Sequence, residues 1–180
     1  GIMESGAAAT ASFSVFPAGS GNDFSTFAND KAGFKKAELN KIDLISVSRG
    51  GKRDYFANMM NIGFDCAVVK ETYTLKKKPF LKGSAAYIAG VLKVLAVKKT
   101  IPAKIKLSGV VSLDKKAPQG DIIEEKNILL TACANGRYCG GGFNAASLAM
   151  LNDGLMDVLV VNDVSRAKFI SIVGNYKKGD

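Results

Sequence analysis

The residues best able to do chemistry lie in a glycine-rich loop near the start of the chain. The sequence FPAGSGNDF, residues 16–24, leaves an apolar run and enters a new polar segment. Its glycine and polar positions are Gly19, Ser20, Gly21, Asn22 and Asp23. A strand that ends in such a loop before a helix directs backbone N–H groups at one point, which is a geometry that binds phosphate. The Walker A and GxGxxG patterns are absent, and a plain turn with a helix cap is the alternative.

A second glycine-rich stretch lies far downstream. The sequence NGRYCGGGFNAASLAMLNDGLMDVLVV, residues 135–161, places three consecutive glycines and then Asn152, Asp153 and Gly154 ahead of a predicted strand. Between the two stretches, residues 61–69 read NIGFDCAVV. Asp153 and Gly154 could also form a plain turn. Asp157 is expected to lie on the strand without a further role.

Histidine and cysteine chemistry is excluded by composition. The chain has no histidine, and its three cysteines are Cys66, Cys133 and Cys139, an odd number without CxxC spacing. These residues cannot build a zinc site or a Ser-His or Cys-His pair, so the thiols are predicted to be reduced core residues. No segment is apolar for long enough to span a bilayer, and the first residues do not have the pattern of a signal peptide. A cytoplasmic globular protein is the expectation.

Positive charge is concentrated in the middle of the chain. The net charge is +9 over 180 residues, and residues 70–116 contain twelve lysines against Glu71 and Asp114. Such a sector attracts anionic lipid headgroups, nucleic acid or a phosphorylated substrate, or it simply keeps the surface hydrated. Lysine outnumbers arginine and the aromatic residues do not alternate regularly with the basic ones, so the sequence disfavours nucleic acid as a partner.

The elements that must position these loops are mostly predicted strands. Alternation and turn residues predict strands over 12–17, 41–48, 54–63, 103–113, 122–135 and 156–163. The segments 41–48 and 54–63 are predicted to pair as one hairpin around two glycines. Helices are predicted over residues 24–30, capped by Asn22 or Asp23, over 84–99 as a buried helix, and over 165–176, capped near Asp163 or Ser165. The fold class is therefore predicted as α+β, a β-rich domain with one buried helix.

Taken together, the three glycine-containing motifs resemble one family. PAGSGNDF, NIGFDCAVV and NGRYCGGGFNAASLAMLNDGLMDVLVV occur in the order and spacing of the bacterial diacylglycerol kinase-like lipid kinases. That group is related to the sphingosine and ceramide kinases and to the NAD kinases. The resemblance extends over the entire chain. It implies an ATP-dependent kinase that acts on a lipid hydroxyl such as that of diacylglycerol.

The resemblance also implies roles for individual residues. The loop matching Gly19 to Asp23 lines the nucleotide site in the family, with the groups of Ser20, Asn22 and Asp23 facing the phosphates of ATP and its metal. Asp43 matches an aspartate near the same Mg-ATP site. The segment 150–155 resembles a structural magnesium loop, in which Asp153 and the backbone carbonyls of Met150 and Leu155 bind Mg²⁺ and water completes the octahedron.

Some family features are not found in these 180 residues. Serine replaces the usual threonine at Ser20, and Ser147 stands where the family has proline. The Gly-Gly-Asp-Gly-Thr phosphate loop would precede Gly1, and the general base, in an Asp-Gly-Glu motif, would follow Asp180. The chain is therefore predicted to be a fragment that is inactive alone. Residues 1–40 would be the remnant of an α/β nucleotide-binding domain, and 41–180 most of a β-rich, sandwich-like substrate domain.

Two other functions stay open. The chain could be a non-catalytic lipid or membrane-surface module, or a family member that phosphorylates a soluble nucleotide or sugar. For the lipid kinase, the expected partners are the lipid substrate and an anionic membrane, and the expected location is the cytoplasmic side of the inner membrane. The lipid is left open, as is the oligomeric state, for which a homodimer is one option.

Overall fold

A computed structural model describes residues 3–7, 10–12, 14–19, 21–29, 41–81, 83–112 and 119–171. Within these ranges the helices are α1 (Asp23–Ala28), α2 (Phe64–Lys76) and α3 (Gly83–Val97), and residues 166–171 are also helical. The strands are β1 (Ile45–Arg49), β2 (Lys52–Phe56), β3 (Met59–Gly63), β4 (Ile101–Val110), β5 (Gly120–Ala134), β6 (Tyr138–Cys139), β7 (Phe143–Asn144) and β8 (Asp157–Asn162). The predicted α+β class is confirmed.

The long strand β5 organises the main sheet. It pairs antiparallel with β3, β4 and β8, while β1–β2 and β6–β7 form separate antiparallel pairs. Residues 120–127 of β5 alternate between exposed and half-buried, whereas almost every residue from 128 to 134 is buried. Alternation is typical of a strand with one solvated face, and a continuous buried run is typical of a strand covered on both faces. The core therefore lies at the second half of β5.

Helices α2 and α3 cover this half of the sheet. The buried cluster contains Phe64 and Val68 from α2, Leu95 from α3, and Leu129 and Leu130 from β5. The helix α2 begins directly after β3, at Gly63, whose φ is 96°. A Cβ at this position would clash with the carbonyl oxygen of Leu129. Glycine at position 63 thus allows the chain to leave the sheet and enter α2 without separating β3 from β5.

Several predicted elements are confirmed. α1 begins after Asn22 as expected, and β4, β5 and β8 lie where the alternation placed them. The last helical segment is capped by Ser165, whose Oγ accepts a hydrogen bond from the Lys168 amide at 3.2 Å. The turn Gly50-Gly51, with φ of 55° and 78°, closes the β1–β2 hairpin.

Other predictions were wrong. The described residues among 12–17 form no strand. The segment 54–63 is not one hairpin arm, because β2 ends at Phe56 and β3 pairs with β5. The chain turns between them at Asn58, whose carbonyl oxygen accepts from the amides of Asn135 and Gly136.

The helices also differ from the prediction. Helix α2 was not predicted, because its valines and threonines have weak helix propensity and packing on the sheet decides its conformation. Helix α3 is not buried on nearly every side, since Ile88 and Leu92 are exposed. In the described part of the chain no helix is long and apolar enough to cross a bilayer.

Candidate functional site

Two glycine loops, far apart in sequence, meet at one place. A Cβ added to Gly21 would lie 3.4 Å from the Cα of Gly141, so the two backbones are nearly in contact. Between them lies the carboxylate of Asp23, the first residue of α1. Its Oδ2 accepts from the Gly141 amide at 2.9 Å, and its Oδ1 accepts from the Gly142 amide at 2.7 Å. The structure therefore joins two of the three motifs that the sequence singled out.

The Gly140–Gly142 turn suits an anionic partner. Its three glycines have φ of 62°, 88° and 99°, which L-residues with side chains rarely adopt. Two consecutive amides point at the same carboxylate, as in the concave backbone sites that bind phosphate. A Cβ at Gly140 would lie 3.2 Å from the Tyr87 hydroxyl of α3. The turn is thus bounded by α1 on one side and by α3 on the other.

The first loop keeps part of its backbone available. Asn22 Oδ1 accepts from the Gly19 amide at 2.8 Å, and Asn22 has φ of 55°. Ser20 lies outside the described residues, so its predicted hydroxyl role stays a prediction. Among the described residues, the amides of Gly21 and Asn22 have no hydrogen-bond acceptor.

Asp43 lies at the other predicted loop, around Asp153. The Asp43 amide donates to the Leu151 carbonyl oxygen at 2.6 Å, and its Oδ2 accepts from the Gly154 amide at 2.8 Å. Its own carbonyl oxygen accepts from Asn135 Nδ2 at 3.0 Å. The structure thus brings Asp43 together with the predicted magnesium loop, although the two predictions were made separately. Its role at a Mg-ATP site stays a prediction.

The predicted magnesium loop is compact and negatively charged. Asp153 Oδ1 accepts from the Leu155 amide at 3.0 Å, which closes the loop over residues 153–155. Half-buried Asp157 lies near it. Burial, and then the charge of Asp153, raises the pKa of Asp157, while the charge of Arg137 opposes this shift. Asp157 lies on β8 as predicted, and its carboxylate adds to the negative charge at Asp153.

The donor set around Asp153 fits a hard cation. Among the described residues no group of three or more His, Cys, Asp or Glu side chains is placed to hold a metal ion. An ion here would depend on Asp153, on backbone carbonyls such as those of Met150 and Leu155, and on water. Mg²⁺ accepts such oxygen ligands and commonly keeps several waters.

Two residues link the sites and were not predicted. Asn135 is fully buried and donates through Nδ2 to the carbonyl oxygens of Asp43 and Ala57, both at 3.0 Å. Arg137 donates to the Ala149 carbonyl oxygen at 2.9 Å, and its guanidinium lies 5.1 Å from the ring of Phe27 in α1. The sequence signal was the polar run Asn135-Gly136-Arg137 directly after a buried strand.

A small cavity adjoins the Gly140 turn. Its volume is about 110 Å³, and its walls are mostly apolar side chains from α2, α3 and β5. Asp65 and Tyr87 are among the polar groups that line it. Burial raises the pKa of Asp65, and burial together with nearby negative charge raises the pKa of Tyr87 to about 12. The cavity therefore favours an apolar occupant over an ionised one.

The three cysteines form no disulfide, and Cys66 is exposed rather than part of the core. Burial raises the pKa of the Cys66 and Cys133 thiols, which disfavours the reactive thiolate.

Comparison with known proteins relates this site to a family. A family model described as "YegS C-terminal NAD kinase beta sandwich-like domain" matches residues 58–180. This range contains the Gly140 turn, Asp153 and Asn135, while Asp23 and Asp43 precede it.

Curated relatives have similar names. "Probable lipid kinase YegS-like" of Stenotrophomonas maltophilia (strain K279a) is 32% identical over 160 residues, which are 85% of this chain and 47% of that protein. The protein of the same name from Shewanella frigidimarina (strain NCIMB 400) is 30% identical over 84% of this chain and 45% of its own length. The chain thus spans about half the length of the curated relatives it matches.

Among solved structures, a diacylglycerol kinase from Bacillus anthracis str. Sterne is similar over 87% of this chain and 47% of its own. The sequence identity is 22% and the TM-score 0.47.

Proposed function

The chain belongs to the YegS C-terminal NAD kinase beta sandwich-like domain family, and on that premise we propose that the intact protein is an ATP-dependent lipid kinase. It transfers the γ-phosphoryl group of ATP to a lipid hydroxyl, such as that of diacylglycerol. The observation that carries this proposal is the meeting of Gly21 and Gly141 around the Asp23 carboxylate. Phosphoryl transfer asks a protein mainly for positioning and for compensation of phosphate charge, and converging backbone amides supply both.

The described residues divide these tasks. We assign the amides of Gly21 and Asn22, which have no acceptor among the described residues, to phosphate oxygens of ATP, and the proposed Ser20 hydroxyl would add one more donor. Asp23 fixes the Gly140–Gly142 turn beside them and is proposed to face the metal that accompanies ATP. Asp43 holds the Gly154 loop in place. No residue in this chain is proposed as the general base, because the 180 residues contain neither Gly-Gly-Asp-Gly-Thr nor Asp-Gly-Glu.

Mg²⁺ is proposed as the cofactor. Asp153 and the carbonyls of Met150 and Leu155 would hold a structural ion, which neutralises the carboxylates of Asp153 and Asp157. If so, Mg²⁺ raises the melting temperature of the wild-type chain relative to chelator, and Asp153→Ala removes the increase. An equal increase in both proteins would refute this assignment.

A lipid acceptor is favoured over a soluble nucleotide or sugar by the apolar cavity next to Gly140. Catalysis would then occur at the cytoplasmic face of an anionic membrane, toward which the lysine-rich sector 70–116 attracts the protein. Without the two missing motifs, the 180-residue chain is expected not to phosphorylate diacylglycerol by itself.

Binding of Mg-ATP by the full-length protein tests the nucleotide site. Gly21→Ala places a methyl group against Gly141 and the Asp23 carboxylate, and it is expected to weaken Mg-ATP binding about tenfold or more, as a misplaced phosphate contact does. The control is Ser48→Ala, an exposed position of β1 outside the site, where the smaller side chain requires no unusual backbone conformation. Equal affinity of the Gly21→Ala variant and wild type would overturn the proposal.

The acceptor is tested separately with radiolabelled ATP. Transfer of label to diacylglycerol in mixed micelles by the full-length protein supports the lipid kinase. Transfer only to soluble nucleotides or sugars would identify the other kinase function, and Mg-dependent membrane binding without any transfer would identify a non-catalytic module.

A further inference from the structure

The helical hairpin α2–α3 exposes a large apolar surface. Its large exposed side chains, here called the hairpin face, are Val69, Tyr73, Phe80, Ile88 and Leu92. Their exposed fractions run from 58% for Ile88 to 94% for Phe80. Scattered exposed apolar residues are ordinary, but five large ones within one helical hairpin and its connecting loop indicate an interaction surface.

Helical spacing explains why these residues form a face. In α3, Gly90 packs against Thr72 of α2, and Leu95 enters the core. Ile88 and Leu92 are one turn apart and lie on the side of α3 opposite Gly90, with exposed alanines 85 and 96 beside them. In α2, Val69 and Tyr73 are likewise one turn apart on the exposed side. Val69 also borders the apolar cavity, yet most of the surface of all four side chains is exposed.

Lysines surround this apolar face. Residues 64–97 contain six lysines and two acidic residues. Lys70, Lys76, Lys77 and Lys78 are exposed, and Lys77 Nζ lies 4.8 Å from the centre of the Tyr73 ring. Lys93 beside Leu92 is paired with Glu71 at 2.7 Å. Lysine is depleted in the cores of protein–protein interfaces, whereas at a bilayer surface its stem lies along apolar groups while its ammonium meets phosphates.

We propose that the hairpin face inserts shallowly into the headgroup region of an anionic bilayer. Amphipathic helices with apolar residues on one side and lysines beside them bind membranes in this way. The inference rests on the proposed lipid kinase function and specifies the surface that meets the membrane. Tyr87, next to Ile88, has its hydroxyl close to Gly140. Insertion at Ile88 and Leu92 therefore brings the glycine loops to the level at which a lipid hydroxyl is found.

The chain has no tryptophan, so one introduced tryptophan reports on its own surroundings. Leu92→Trp is expected to show a blue shift of fluorescence with mixed phosphatidylcholine and phosphatidylglycerol vesicles. The matched control is Ile123→Trp in β5, a site that is 60% exposed but outside the hairpin face, which should show no shift. Equal behaviour of the two variants, or no shift in Leu92→Trp, would overturn the proposal. A blue shift that grows with protein concentration in the absence of vesicles would also overturn the proposal, because it would show that a second copy of the chain covers the hairpin face.

Sedimentation with the same vesicles measures affinity. Ile88→Ser with Leu92→Ser is expected to lower the partition coefficient about tenfold or more, and the loss should persist at high salt because it is apolar. Ile123→Ser should leave binding unchanged. Lys76→Gln with Lys77→Gln is expected to lower binding to anionic vesicles by about fivefold per lysine. Undiminished binding of the double serine variant would refute insertion.

Nucleotide binding separates this inference from the proposed function. If the double serine variant loses vesicle binding while it binds Mg-ATP normally, the hairpin face acts as proposed. If Leu92→Trp inserts but the full-length protein transfers no phosphate to any lipid, the kinase proposal fails and the membrane surface remains.

Discussion

Asp23 and Asp43 accept amide hydrogens from glycine loops more than a hundred residues away, but they are anchored differently. Asp23 reaches Gly141 and Gly142 through its carboxylate alone. Asp43 is held through its amide and carbonyl groups as well as through its carboxylate. One of these contacts comes from Asn135, which is fully buried.

The Asp43 contacts therefore stabilise the fold, whereas a bound ligand can replace the Asp23 carboxylate at the Gly141 and Gly142 amides. The turn at Gly141 is already closed by the β6–β7 pairing, so loss of Asp23 frees it from α1 without unfolding it. The loop at Gly154 depends on Asp43 and, behind it, on Asn135. Exposed amides that now bind a carboxylate can also meet the phosphate oxygens of a ligand. Asp23 is therefore expected to matter more for binding and Asp43 more for stability.

The largest effect is expected at the buried anchor. Asn135→Ala removes the donor to two carbonyl oxygens and leaves a cavity, which should cost about 3 kcal/mol of unfolding free energy. Urea denaturation measures this loss. Asn127→Ala, on the exposed half of β5, the strand that precedes Asn135, should stay within about 0.5 kcal/mol of wild type. Similar losses in the two variants would remove the distinction between the anchors.

Next in size is the Asp43 carboxylate itself. Asp43→Ala removes the acceptor for the Gly154 amide and should cost about 1–2 kcal/mol, as for a hydrogen bond to a charged group. Mg-ATP affinity should change less than in Asp23→Ala. A variant with normal stability but abolished nucleotide binding would show that Asp43 belongs to the ligand site.

The unfolding free energy should depend on pH through Asp157, which lies next to the Gly154 loop that Asp43 holds. Burial, with the charge of Asp153, raises the folded-state pKa of Asp157, so the native state holds this proton more tightly than the unfolded state. Stability therefore falls as pH rises from the unfolded pKa, about 3.9, through the folded one. Asp157→Asn should be more stable than wild type at pH 7, and the gain should vanish near pH 3.

Urea midpoints measured across this pH range check the expectation. The control is Asp54→Asn on the exposed face of β2, where no gain is expected. Asp157→Asn with a gain that is independent of pH would show that packing, rather than the charge, explains the effect.

The smallest stability change is expected for Asp23→Ala, although two hydrogen bonds are lost. Both bonds are at the surface, as the Asp43 bond to Gly154 is, but the β6–β7 pairing keeps the Gly140–Gly142 turn closed without them, so the cost should be about 1 kcal/mol or less. Mg-ATP affinity of the full-length protein should fall clearly, because the Gly140–Gly142 turn is no longer held beside Gly21. A large stability loss with unchanged affinity would reverse the assignments of Asp23 and Asp43.

Local patterns were sufficient where the environment of a segment is uniform. The strands β4, β5 and β8 and the β1–β2 turn follow from alternation and from Gly50-Gly51. The start of α1 after Asn22 was also predicted, but the Asn22 side chain accepts from the Gly19 amide and does not cap the helix. The helix α2 does not, because Val68 and Thr72 suit a strand equally well and only packing on β5 makes them helical. The exposed stripe of α3 was missed for a related reason. Its composition is apolar throughout, and burial depends on the partners that the fold provides.

For the site, the motifs indicated which residues matter, and their partners were decided by the fold. FPAGSGNDF and NGRYCGGGF are recognisable in the sequence, but nothing in either motif predicts that Asp23 binds Gly141 and Gly142. Asn135 and Arg137 had no predicted role, because the groups that they hydrogen-bond or pack against are distant in the sequence and only the fold brings them together.

The sequence by itself determined the α+β class and the glycine loops, because short-range periodicity and turn chemistry depend only on neighbouring residues. The resemblance of its three motifs to a known family indicated the family. The tertiary structure alone decided which loops meet, which aspartate is anchored from within, and which helix face remains uncovered. These outcomes depend on contacts between residues separated by about a hundred positions, and the sequence alone does not show which distant residues lie close in space.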